Sequence, residues 1–108
     1  MESDLAGWTA EEQDLARGVF DRARSREVET LIDTLRRETA QLRSQEDIWR
    51  LHDFLSIQRH AIEGRAEFRL PDLLFLFAAF VRDGLASLED LQGLSADKLA
   101  KISAMARF

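Results

Sequence analysis

From Leu15 onward, apolar residues return every three or four positions: Leu15, Val19, Phe20, Ala23, Val28, Leu31, Ile32, Leu35 and Leu42. That spacing lines them along one side of an α-helix. Thr9 followed by Glu12 predicts where the helix starts. A threonine hydroxyl at the N-cap accepts an orphan amide, and a glutamate three residues on reaches back to the cap's own amide. Trp8, just before the cap, is placed to act as a hydrophobic staple. Gly18 alone weakens the interior, by about 1 kcal/mol relative to alanine. The helix is predicted over residues 10–43, roughly 50 Å long at 1.5 Å per residue. A chain this small cannot cover that length with its own mass. Val28, Leu35 and Leu42 are spaced by seven, with Leu31 between the first two, which makes a short coiled-coil seam. The expectation is a homodimer whose interface takes Val28, Leu31, Ile32 and Leu35, a second copy being the simplest partner for such a seam. Packing of the long helix on later helices of its own chain is the other reading, and the two are compatible.

Shorter helices follow, predicted as a bundle over residues 45–107. Ser44 with Asp47 caps the second helix, and Gly64 is expected to supply a left-handed stop. Pro71 suits the first turn of a third helix, PDLLFLFAAFVRD, which Gly84 closes. This helix is apolar nearly all round and is expected to be the buried central one. Ser87 with Asp90 opens a short fourth helix ending near Gly93, and Ser95 caps a last one. No stretch alternates with period two, and no internal repeat or low-complexity linker is visible. The predicted fold class is all-α: one domain over residues 1–108, a long N-terminal helix plus a compact bundle, dimerising through the long helices.

Composition narrows the function classes. Apolar residues make up 45% of the chain and charged residues 32%, the balance of a globular protein rather than a disordered one. There is no cysteine, so a disulfide framework and a thiolate metal site are both excluded. The opening residues are acidic and lack the apolar core of a signal peptide. The longest apolar run, residues 73–81, falls well short of the roughly 20 residues that span a bilayer. A cytoplasmic protein that is not membrane-inserted is expected. The formal charge of −5 argues against nucleic acid, which needs a clustered positive surface. Here the arginines are dispersed among acids, as in DRARSREVE and TLRRETAQLR.

The candidate chemistry gathers in WRLHDFLSIQRHAIEG, residues 49–64, which holds a tryptophan and both histidines of the chain. At 100° per residue, Ile48, Leu51, Leu55 and Ile62 form an aliphatic stripe expected to face the core. Trp49, His52, Asp53, Ser56 and His60 form a second face nearly opposite, with Arg59 on the edge between. As a catalytic site this face is poor. His52 and Asp53 are neighbours about 100° apart, an awkward placement for a direct orienting bond. No activated nucleophile accompanies them, and no glycine-rich turn is present to hold an oxyanion hole. As a metal site it fares no better, because His52 and His60 are eight residues and about 12 Å apart along the axis. Neither a metal site nor an enzymatic activity is expected from these residues. Two readings remain: Trp49 packing on a neighbouring helix, or a docking surface of the tryptophan and arginine chemistry common in hot spots. Spacing alone does not separate them.

The residues themselves do more. The run W-[RK]-L-H-D-F-L followed by R-H-x-I-x-G, present here from Trp49 to Gly64, resembles the fluorescence recovery protein family of cyanobacteria. The later pattern F-x-F-A…[RK]-[DE]-G-L, then L-x-A-D-K…K-I-x-A-[ML]-A-R, continues the resemblance in register to the end of the chain. It is pattern-level in the first helix, and the connector holding Phe68 and Pro71 departs from it. The resemblance implies an all-helical dimer with no reaction and no cofactor of its own. It implies binding to the C-terminal domain of photoactivated orange carotenoid protein, faster return of that protein to its resting orange form, and its detachment from the phycobilisome, which ends photoprotective quenching. By position, it places the partner contacts on Trp49, His52, Asp53 and Arg59, with Phe75 and Lys101 in addition. The alternative is a homologue from a non-cyanobacterial host serving a different partner as a helical dimeric interaction module. The arginine- and alanine-rich composition would suit that origin.

Overall fold

The computed structural model describes residues 7–108; the acidic opening residues 1–6 lie outside them. The order of elements is α1 (Ala10–Ala40), α2 (Gln45–Glu63), a 3₁₀ turn (Leu70–Asp72), α3 (Leu73–Arg82), a second 3₁₀ turn (Glu89–Leu91) and α4 (Ala96–Ala106). The class is all-α, as predicted. The chain divides into two compact units, the first holding residues 7–26 and 68–108 and the second residues 27–67, with a boundary inside the continuous helix α1.

The caps account for most helix starts. Thr9 and Glu12 form the predicted box: the Glu12 amide donates to Thr9 Oγ1 and the Thr9 amide to Glu12 Oε1, each at 3.1 Å. At α2, Ser44 Oγ accepts the Asp47 amide while Asp47 accepts the amide of Arg43, both at 3.1 Å. Ser95 Oγ accepts the Lys98 amide at α4. Ser87 and Asp90 exchange amides reciprocally, although they open one 3₁₀ turn rather than an α-helix.

The first unit owns the apolar core. It joins Ala16, Val19, Phe20 and Ala23 of α1 to Leu73, Leu76, Phe77 and Phe80 of α3, with Leu91, Leu94 and Ile102 from the C-terminal segment. Each large side chain fully buried here contributes about 1.5–3 kcal/mol. Phe20 meets Phe68 edge to face, with centroids 5.4 Å apart, and lies 6.3 Å from Phe80. Arg17 caps this cluster, its guanidinium 4.9 Å from the Phe68 ring. The α3 helix ends as Gly84 at φ 76° lets the Leu85 amide turn back to the Phe80 carbonyl at 2.8 Å, a conformation that favours glycine. Trp8 is buried in the same core rather than serving as a staple. The N4 position opposite it is Gln13, which donates to the Trp8 carbonyl.

Several expectations change in the second unit. Helix α1 stops at Ala40, not near residue 43, so Leu42 lies beyond the seam. The cause is the cap of α2: Ser44 must be extended (φ −145°, ψ 163°), so the chain tightens into i→i+3 turns at Gln41 and Leu42 and leaves the helix. Gly64 is not a left-handed stop. Its φ is −68°, and α2 unwinds through further i→i+3 turns at Arg65 and Ala66. Most consequentially, the stripe of Ile48, Leu51, Leu55 and Ile62 reaches no core, because no residue of α2 is buried. In residues 27–67 the one buried side chain is Glu27, paired with the Arg65 guanidinium.

Candidate functional site

Helix α2 supplies a complete face to solvent. Its better-covered side carries Leu51, Leu55, Gln58 and Ile62, all half-buried. The opposite side presents Trp49, His52, Asp53, Ser56, Arg59 and His60, all exposed. Trp49 is 56% exposed, which favours an accessible surface over the packed indole that spacing had left open.

His52 and Asp53 do make the contact that sequence geometry had made awkward: His52 Nδ1 lies 3.3 Å from Asp53 Oδ1. Neighbouring side chains reach each other because both point outward and neither is held by packing. Exposed on both sides, the pair orients no nucleophile. Arg59 Nε donates to Glu63 Oε2 at 3.1 Å, an i,i+4 pair across the last turn of the helix.

Phe75 and Lys101 fall in the other unit. Phe75 departs from the buried-helix expectation for α3, with 70% of it exposed on a helix whose other large apolar residues are buried or half-buried. Lys101 Nζ lies 3.1 Å from Asp97 Oδ2 on α4 and stays largely exposed. The structure therefore groups Trp49, His52, Asp53 and Arg59 on one helix and places Phe75 and Lys101 on two others.

Two residues of the α2 face were passed over in the sequence. Ile57 is 66% exposed and continues the row Trp49, Asp53, Ile57 at intervals of four. Glu63 is the partner of Arg59. Helical spacing is the sequence signal for both, Ile57 lying four residues after Asp53 and Glu63 four after Arg59.

Among the described residues, no cluster of three or more histidine or acidic side chains is arranged to hold a metal ion. No helix among the described residues is long and apolar enough to cross a membrane. An open groove of about 400 Å³ lies within the second unit, walled by Leu42, Leu51 and Phe54 and rimmed by Asp47 and Arg50. Glu38 lines it as well, and Arg50 is paired at the rim, 3.4 Å from Asp47 and 3.6 Å from the neighbouring Glu46.

The chain belongs to the class of small all-helical proteins, and its conspicuous chemistry sits on an exposed helix face rather than in its groove. Residues 8–106 match the family model of the photoprotection regulator fluorescence recovery protein. The chain is similar to the fluorescence recovery protein of Synechocystis, with 39% identity over 99% of this chain and 98% of that one. Among solved structures it is similar to the Fremyella diplosiphon fluorescence recovery protein, with a TM-score of 0.86 and 40% identity over 94% of this chain and 99% of that one. The solved Synechocystis protein gives a TM-score of 0.85 at 39% identity, with the same coverage. The chain belongs to the fluorescence recovery protein family, a family of non-enzymatic photoprotection regulators.

Proposed function

We propose that this protein binds the C-terminal domain of photoactivated orange carotenoid protein through the α2 face of Trp49, His52, Asp53 and Arg59, with Phe75 and Lys101 as further contacts. It accelerates the return of that protein to the resting orange form and helps detach it from the phycobilisome, ending quenching. It works in the cytoplasm and, in a cyanobacterial host, in association with the thylakoid and phycobilisome. The observation that carries this reading is the exposure of all four residues of the family motif on one face of α2, where they contribute nothing to a core. A protein that hastens a conformational return must bind an arrangement along the way more tightly than the activated starting state. Trp49 supplies area to desolvate, and Arg59 and Asp53 supply charge-assisted contacts that set register.

The same reading includes a homodimer through Val28, Leu31, Ile32 and Leu35. Val28 and Ile32 are exposed and Leu31 and Leu35 half-buried in the single chain. An apolar row left uncovered on a helix is the surface that a second copy buries. The test of function is to add the protein to photoconverted orange carotenoid protein in the dark and time the red-to-orange decay. Acceleration at substoichiometric amounts is expected, and an unchanged decay would contradict the proposal.

A further inference from the structure

One ion pair on the α2 face is poorly explained by helix stability. Glu63, the last residue of α2, accepts Arg59 Nε at 3.1 Å, both side chains being largely exposed. A carboxylate at a helix C-terminus meets the negative end of the backbone dipole, where a cation is favoured instead. Arginine followed by glutamate is also the weaker order for an i,i+4 pair. Surface pairs of this kind add little to stability in any case. The contact has a geometric consequence, however. A guanidinium is a planar fork with five donors. Nε is taken up by Glu63 on a side chain 80% exposed, and the edge formed by the two terminal nitrogens of such a fork can grip a carboxylate with two parallel bonds.

We infer that Glu63 is a positioning residue for partner binding: it holds Arg59 at Nε so that the terminal nitrogens present a preformed fork to a carboxylate on the partner. The inference rests on the docking role proposed for Arg59. Its benefit is pre-organisation, since a long side chain fixed before contact loses less freedom on binding. An effect of about two- to tenfold on affinity is the scale expected for ordering one such side chain.

The test is a double-mutant cycle. Affinity for photoconverted orange carotenoid protein and recovery rate would be measured for the wild type, Glu63→Ala, Glu63→Asp, Arg59→Leu and the Glu63→Ala/Arg59→Leu double variant. Trp49→Ala serves as a reference, and Tm is recorded for all. Glu63→Ala should weaken binding about two- to tenfold with Tm unchanged or slightly raised, and Glu63→Asp should recover most of the loss. In the Arg59→Leu background, Glu63→Ala should cost nothing more, because the group it positions is gone. A further loss in that background, or a binding loss that merely follows a fall in Tm, overturns the positioning role. Full binding by Glu63→Ala while Trp49→Ala and Arg59→Leu fail also overturns it and leaves the docking face standing. If Trp49→Ala and Arg59→Leu also bind fully, the docking face itself is wrong.

Discussion

Lys98 Nζ lies 3.0 Å from Glu12 Oε1, joining the start of α4 to the start of α1 across 86 residues of sequence. Glu12 is 6% exposed, and its other oxygen accepts the Ser95 amide at 2.8 Å. Lys98 also donates to the Gly7 carbonyl and lies 5.0 Å from the centre of the Trp8 ring. A half-buried lysine on a buried carboxylate thus holds two helix ends and a core tryptophan together. Lys98→Met leaves Glu12 without its countercharge, although the amides of Thr9 and Ser95 remain. A loss of about 2 kcal/mol is expected, seen as a Tm lower by on the order of 10 °C. An unchanged melting curve would show the pair to be ornamental.

Acid should act through the same residue. Burial alone would raise the pKa of Glu12, but hydrogen bonds from the Thr9 amide, the Lys98 ammonium and the Ser95 amide outweigh it and hold the group below its usual 4.5. Asp90 is held below 3.8, chiefly by the Ser87 amide. A carboxylate depressed in the folded state contributes stability above its unfolded pKa and loses it as pH falls through the folded value. Tm should therefore fall as the pH is lowered below about 4.5. Glu12→Gln should start lower at neutral pH and approach the wild-type curve in acid. Parallel curves would assign the acid sensitivity to other groups.

Helix starts were legible because capping is local: Thr9 with Glu12 and Ser44 with Asp47 declare themselves within four residues. The ends were less so. Gly84 stops its helix in the left-handed region, whereas Gly64 does not, and nothing in the residue type distinguishes them. The aliphatic stripe on α2 was read correctly as a stripe and wrongly as buried, because periodicity reports which face is apolar but not what covers it. The pairs Glu12–Lys98 and Glu27–Arg65 carry no sequence signal, being tertiary contacts between distant charges. The polar face of Trp49, His52, Asp53 and Arg59 was legible as a cluster, and its exposure needed coordinates.

Assembly is tested at Ile32, which is exposed in the single chain. Ile32→Glu therefore leaves the fold of one chain nearly undisturbed, yet in a dimer it would bury a charge at a cost of several kcal/mol. Size-exclusion chromatography with light scattering should show monomers, with helicity by circular dichroism largely retained. An intact dimer would place the interface elsewhere.

Ile57 separates area from charge on the α2 face. Ile57→Ala removes an exposed side chain, so stability should stay within about 0.5 kcal/mol of wild type. If the row from Trp49 to Ile57 meets the partner, binding should weaken by roughly 1 kcal/mol, or about fivefold in Kd. Unchanged Kd would end the contact surface short of Ile57.

The most direct measurement records Tm and red-to-orange recovery rate side by side for Trp49→Ala and Arg59→Leu. Both side chains are exposed, so melting and dimer formation should be preserved in each. Recovery should be nearly lost at micromolar protein, since a hot-spot loss of about 2 kcal/mol weakens binding roughly thirtyfold. The contrary result is a Trp49→Ala variant destabilised by about 3–5 kcal/mol, as for a buried aromatic, with recovery declining only in step with folding, or both variants accelerating recovery as well as wild type.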